Sequence, residues 1–494
     1  MAFPMTTPPT GQSRTILQRI AHRVMIDRGL EPDFSPAALA ELAAIHGPAV
    51  NTTGARDRRA LLWCSIDNDD SLDLDQLSVG EALANGAVKL LVAIADVTAV
   101  VAQNSAIDAH ARENTTSVYT AGQIFPMLPE KLSTNLTSLN FGVDRMAVVV
   151  EMTFSAEGEL TGSDIYEALV HNRAKLAYNS VAAWLEGQGP RPAPIGAVPG
   201  LEENIRLQHA MAQRLRERRH MRGALSLQTI EARPVFVGEI LQDLHAEESN
   251  VAKSLIEELM VAVNGVGARF LAAKKYPSMR RIVRTPTHWD RIVELAAARN
   301  FTLPGTADGI ALEKFLLAAR EASPADFPDL SLSVIKLMGA GEYVVEFPGG
   351  TSPGHFGLAV RDYAHSTAPN RRFPDVITQR LVKAALAGQP VPYSNDELTA
   401  LALHCTEQED AAKKVERQVV KSAGALLLAS RIGEKFDAMV TGASDKGTFV
   451  RLTHPPVEGK LVEGYGDRKV GERLRVQLVY TNVERGYIDL KAVG

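Results

Sequence analysis

The chain has 494 residues, 45% of them apolar and 22% charged, with a formal charge of −5. Those values exclude a fibrous repeat, a disordered polyelectrolyte and a globally basic nucleic-acid binder, while the length allows about three domains of roughly 150 residues. Two cysteines, Cys64 and Cys405, exclude a disulfide framework or multi-cysteine zinc site, and without an apolar run of about 18 residues or an apolar signal core the expectation is a soluble, cytoplasmic protein with no membrane partner.

In chain order, residues 1–13 are rich in Pro, Thr and Gly and predict a mobile tail. Ile16, Leu17, Ile20, Ala21, Val24 and Met25 fall on one helical face, and Ser35-Pro36 announces a second helix by a cap and a first-turn proline. The two form a helical module over 1–50, read either as a helix-turn-helix or as packing helices. From Leu61 the pattern changes. Leu61–Ile66, VKLLVAIADV (88–97) and MAVVVEMTF (146–154) predict buried strands, and 171–186, 201–221, 249–274 and 377–387 predict helices. GQGPRPAPIGAVPG (187–200) predicts an exposed loop inside a catalytic domain over 51–400, followed by a helical connector over 401–433. The last piece, 434–494, alternates short strands with Gly-rich turns, as a small OB-fold barrel does. The fold class is α+β.

The segment after Ile66 places Asp67, Asp69, Asp70, Asp73 and Asp75 within nine residues. Like charges this close raise each other's pKa unless a cation neutralises them, and hard oxygen donors select Mg²⁺, Mn²⁺ or Ca²⁺. An EF-hand fails at its two most diagnostic places, with Leu72 at position six and Ser78 at position twelve. A solvated acidic turn is the plain alternative, and a magnesium site holding a phosphate is the reading preferred.

Asp67, Asp73 and Asp75 after an apolar strand resemble the signature of the RNase II/RNB exoribonucleases. LLVAIADVTAVVAQNS, TTSVYTAGQIFPMLPEKLSTNLTSL, RGALSL, SLIEELMVAVN and GHFGLAVRDYAHSTAPNRRFPDVITQRL follow in that family's order over about 60–390. The resemblance implies processive hydrolysis of RNA from the 3′ end to nucleoside 5′-monophosphates with Mg²⁺, for which Mn²⁺ can substitute. It implies Asp67, Asp73 and Asp75 as metal ligands, with Gln76 where the family has a fourth aspartate. It makes Asp73, Asp75 and Arg371 catalytic, Arg371 also clamping the scissile phosphate. For RNA it implies Tyr119 stacking on the terminal base, Leu227 where the family often has Phe, Glu257 at the ribose hydroxyls and Phe449 in a C-terminal S1-type barrel. Asn264, two turns on from Glu257, is expected to support it. The partners implied are single-stranded RNA and structured RNA with a 3′ overhang, bound by a monomer. Residues 1–50 stand where RNase II-type enzymes carry two cold-shock OB domains. The basic run Arg214, Arg216, Arg218, Arg219 and Arg222 is either a solvated helix face or part of the RNA path. Two rival functions remain: an RNA-binding relative with catalysis impaired by Gln76 and Leu227, and a phosphorolytic nuclease.

Overall fold

The computed structural model describes residues 13–49, 54–229, 231–247, 249–444, 447–466, 468 and 470–493, so all but Ser13 of the expected tail lies outside the described residues. Helices α1 (Ser13–Asp27) and α2 (Pro36–Ala44) come first, α2 capped by the Ser35 hydroxyl on the Ala38 N–H. They dock on different parts of the protein, α1 on the long C-terminal helix and α2 on α3 (Ala106–Asn114).

The main sheet, of seven strands, is built from β1 (Arg56–Asp57), β2 (Cys64–Asp67), β3 (Gln76–Ala82) and β4 (Val88–Ala95), then β7 (Asp144–Phe154), β8 (Leu160–His171) and β9 (Ala174–Ala177). Between β4 and β7 lies a separate hairpin, β5 (Val118–Tyr119) and β6 (Ile124–Phe125). The order across the sheet is β1-β8-β7-β4-β3-β2-β9, antiparallel except for β1 with β8 and β2 with β9. Strand β4 reads as a nearly unbroken apolar run because both its faces are covered. Val88, Leu90, Val92 and Ile94 join the core under the helices, whereas Leu91, Ala93 and Ala95 join a second cluster with Trp63, Leu74 and Val149.

Three expectations need correction. Residues 171–177 are strand, because alternating Ala174 and Leu176 pair with the β2 edge; only α4 (Tyr178–Leu185) is helical there. The strand expected at Leu61 begins at Cys64 and runs through Asp67. The 187–200 loop holds a short helix, α5 (Ala193–Ala197), pinned by buried Ile195.

Helix α6 (Leu201–Met221) is followed by the hairpin β10 (Glu231–Val237) and β11 (Ile240–Glu247), then by α7 (Val251–Ala273). Strand β12 (Ser278–Ile282) pairs with β13 (Glu342–Glu346), and between them α8 (Trp289–Ala297), α9 (Gly309–Ala322) and α10 (Phe327–Met338) close on their own apolar cluster. Helix α11 (Phe373–Leu386) is almost wholly buried. Helix α12 (Asn395–Leu428) is one 34-residue rod about 50 Å long, so the expected connector starts earlier and is continuous. It ends under a closed five-stranded barrel of β14 (Lys435–Ser444), β15 (Gly447–Leu452), β16 (Glu458–Glu463), β17 (Arg473–Asn482) and β18 (Tyr487–Ala492). Among the described residues no helix is long and apolar enough to cross a membrane.

Candidate active site

Asp67 is the last residue of β2 and Gln76 the first of β3, so the acidic segment is the connection between two core strands. Its shape is fixed by buried bonds. The Asp67 carboxylate accepts from the Asn68 N–H and the Ser71 hydroxyl, and Lys175 Nζ donates to the Ser71 carbonyl. Fully buried Ser138 accepts from the Leu74 N–H at 2.9 Å and donates to the Leu72 carbonyl at 2.8 Å. Ser138→Ala would leave both backbone groups unpartnered, so it should cost about 1–3 kcal/mol in urea unfolding, with a larger proportional loss of activity than of stability because the acids shift.

Asp75 is 1% exposed. Its Oδ1 accepts from the Asn370 backbone N–H at 2.9 Å and its Oδ2 from Arg371 Nε at 3.0 Å. Burial pushes its pKa up to about 7 and the Asp73 charge adds to that, while Arg371 and the Asn370 N–H pull the other way. Asp73 accepts from the Tyr119 hydroxyl at 2.9 Å. The Tyr119 phenol is raised above its usual range, chiefly by burial of the hydroxyl end, although the residue as a whole is 41% exposed. The strand carrying Tyr119 is tied directly to Arg371, whose carbonyl accepts from the Ser117 N–H and the Thr116 hydroxyl.

Tyr119 and Arg371 line a cavity of about 240 Å³ with Arg372, Tyr343, His365 and Glu416, among others, while Asp73 and Asp75 reach it only through their bonds to those two residues. The structure therefore brings Asp73, Asp75, Tyr119 and Arg371 together, with Asp67 near enough that its charge also acts on the Arg371 guanidinium. Glu416, which sequence reasoning missed, sits on α12 and accepts from the Tyr119 N–H at 2.9 Å. Nothing local marks it, since it is one acid on a polar helix 297 residues from its partner. Asn370 and Ser138 were missed for the same reason.

The remaining expected residues lie elsewhere. Glu257 is half-exposed on α7 and accepts from Arg219, which also binds buried Glu258. Asn264 accepts from the N–H and hydroxyl of Ser366, steadying the chain before Arg371. Leu227 packs against the α8–α10 cluster and is not among the residues lining the cavity. Phe449 lies on β15, with Lys421 Nζ 6.0 Å from its ring centroid. Within the basic run, Arg219 is buried and paired, and Arg218 reaches the Glu157 carbonyl in the β7–β8 turn.

By chemistry the donors suit a divalent cation: Asp67, Asp73, Asp75 and Gln76 offer hard oxygens on one connection between two strands. Among the described residues, however, no three His, Cys, Asp or Glu side chains are placed to grip one ion. Asp75 is turned to Arg371 and Asp73 to Tyr119.

From the cavity wall inward, Tyr343, His365, Tyr363 and His355 stack edge to face at 5.5–5.6 Å. Burial, with Arg281 adding, depresses His355 to about 4, and His365 also lies well below 6.5, chiefly through burial. The unfolded chain thus takes up these protons first. Their contribution to stability is whole above pH 6.5 and is lost as pH falls from there through 4. His355→Asn should narrow the loss in urea midpoint between pH 7 and pH 5 relative to the unaltered protein.

An RNB domain matches residues 55–388, and an RNase II-type exonuclease C-terminal S1 domain matches 434–493. Ribonuclease R of Escherichia coli K12 is 32% identical over 484 residues, covering 90% of this chain and 58% of the relative, so the chain spans little more than half that relative's length. Mycoplasma genitalium RNase R in complex with ribose-methylated single-stranded RNA superposes with a TM-score of 0.85 at 22% identity, over 97% of this chain and 78% of the other. The same enzyme in complex with double-stranded RNA gives 0.84 at 22% identity, over 97% and 83%.

Proposed function

Since the chain belongs to the RNB family and ends in an RNase II-type S1 barrel, we propose that it is a hydrolytic, processive 3′→5′ exoribonuclease releasing nucleoside 5′-monophosphates. The observation that carries this reading is the pair of buried Asp75 with Arg371, set beside Tyr119 and the cavity that Arg371 and Tyr119 line. A protein that only bound RNA would have no use for a desolvated carboxylate beside the phosphate clamp.

Asp67, Asp73, Asp75 and Gln76 would hold Mg²⁺ or Mn²⁺, which when bound supplies an activated water and neutralises phosphate charge. The chain's own groups do the rest. Arg371 spends Nε on Asp75, so its terminal nitrogens serve as donors to the scissile phosphate. Tyr119 presents a ring on which any base can stack, held at its hydroxyl by Asp73 and at its backbone by Glu416. Glu257 accepts from a ribose 2′-hydroxyl, which favours RNA over DNA. Leu227 and Phe449 add apolar and aromatic contacts along the strand. The protein acts as a cytoplasmic monomer on single-stranded RNA and on structured RNA with a 3′ overhang.

Tyr119→Ala should raise KM for short RNA about tenfold, since stacking is worth about 1–3 kcal/mol per base. Tyr119→Phe keeps the ring and should retain most binding. The reaction class is tested by chromatography of the released nucleotides with and without inorganic phosphate. Monophosphates in both conditions support hydrolysis; diphosphates that require phosphate would show phosphorolysis. A second reading, RNA binding with impaired catalysis, is favoured by Gln76 in the donor set and by the engagement of Asp73 and Asp75 with Tyr119 and Arg371. It predicts RNA binding without any released nucleotide.

A further inference from the structure

The hairpin that carries Tyr119 has almost no stiffness of its own. Its two strands hold two residues each, joined by a turn in which the Thr120 hydroxyl accepts from the Gly122 and Gln123 N–H groups. A hairpin this small is marginal in water unless something packs against it. That support is α1. Leu17, Ile20, Ala21 and Val24 are buried in one cluster with Val118, Ala121 and Phe125 of the hairpin and with Val415 and Val419 of α12. The approach is close enough to need a glycine. A Cβ on Gly122 would stand 2.7 Å from the Gln18 nitrogen and from the Leu17 carbonyl carbon, against helix backbone that cannot swing aside.

The same helix is fixed at further points. Arg23 donates to the Glu484 carboxylate at 2.6 Å and to its carbonyl at 2.9 Å, and Arg19 also pairs with that carboxylate, so α1 grips the β17–β18 turn of the barrel. At its start, the Arg14 N–H donates to the Glu239 carbonyl in the β10–β11 turn, and the Arg14 guanidinium lies 4.3 Å from the Phe236 ring centroid. Helix α1 is thus wedged between the barrel, the β10–β11 hairpin, α12 and the back of the Tyr119 turn.

We propose that α1 is a positioning element for the 3′-terminal nucleotide: through its backbone contact with Gly122 it sets Tyr119 against Asp73 and Glu416. Gly122, three residues from the stacking ring, is the positioning residue of that contact, and Leu17 and Val24 are its supports. The functional half of this inference rests on the exoribonuclease reading; the mechanical half does not. Loosening α1 frees the turn at Gly122 and the ring end of the hairpin, while the bonds of Thr116 and Ser117 to the Arg371 carbonyl hold its base and Asp75 and Arg371 stay in place. The loss therefore falls on capture of short RNA, in which the terminal base supplies most of the grip, and spares long RNA that the barrel also holds.

The test uses the full chain with Gly122→Ala, and Gly305→Ala as a control in open space. Hydrogen exchange of 116–126 should quicken about tenfold or more in Gly122→Ala, with β3, β4 and α11 unchanged. On short oligoribonucleotides KM should rise about tenfold while kcat on long RNA stays within about twofold. Leu17→Ala, which loosens the packing of α1 on the hairpin without adding an atom at Gly122, should move both readouts in the same direction by less and keeps the test valid if Gly122→Ala fails to fold. Unchanged exchange in 116–126 in the folded variants would overturn the mechanical link. Quickened exchange with KM unmoved, or a loss of kcat equal on short and long RNA, would overturn the positioning role. Should the unaltered protein release no nucleotide, the exoribonuclease reading fails by itself and the exchange data still decide the link.

Discussion

Asp75→Asn should lower the rate of nucleotide release by about 10²-fold to 10³-fold or more, the scale set by removing one charged group from a preorganised site, and should leave RNA binding within a few-fold. The same substitution should not weaken the fold at alkaline pH. A carboxyl whose folded pKa is raised to about 7 contributes stability at low pH that disappears as pH climbs from the ordinary 3.8 through 7. Asparagine cannot ionise and escapes that loss, and it still offers an oxygen to the Asn370 N–H. Arg371, with its side chain 45% exposed, can turn to water for its lost partner. In chelator, urea unfolding at pH 8 should therefore find Asp75→Asn at least as stable as the unaltered protein, with its advantage shrinking at pH 5.5. A variant both inactive and markedly unstable at pH 8 would mean Asp75 holds the fold rather than the chemistry.

Arg371→Lys should cost about as much in kcat, on the order of 10²-fold. Lysine keeps the charge, but a single ammonium cannot hold Asp75 and also present a planar pair of donors to a phosphate. The structure makes this substitution clean. The bonds that join the Tyr119 strand to this segment go to the Arg371 carbonyl, which any residue supplies. KM for short RNA should consequently change little while kcat falls, the opposite of the pattern expected for Tyr119→Ala. Single-turnover and steady-state kinetics on one labelled oligonucleotide separate the two. Equal losses in KM for both variants would show that Arg371 serves general RNA affinity instead.

Local sequence carried much of this site because its chemistry is crowded along the chain. Five aspartates in nine residues favour a cation site over a solvated turn, and Arg371 was marked by the resemblance, whereas the helix expected from 377 starts at Phe373. The barrel was legible from alternation and glycine turns, and α6 and α7 from their period. Other features were not legible, because they depend on distant partners. Residues 171–177 carry apolar side chains at spacings that serve a helix or a strand equally, and the β2 edge decides between them. Ser138 and Glu416 are unremarkable as residue types, and only the fold brings one beneath the acidic connection and the other beside Tyr119. Nothing in the local sequence marks Gly122, because its constraint is the backbone of α1, about a hundred residues away in the chain.

On the proposed reading, Asp75, Arg371 and Tyr119 close a path along which RNA is consumed from its 3′ terminus. The most direct measurement is a time course on 5′-labelled single-stranded RNA with Mg²⁺, with chelator, and with Asp75→Asn alongside. The account predicts a descending ladder of 5′-labelled fragments, lost in chelator and in the variant. RNA that stays intact while both proteins bind it equally would contradict the account and leave an RNA-binding protein on a nuclease fold.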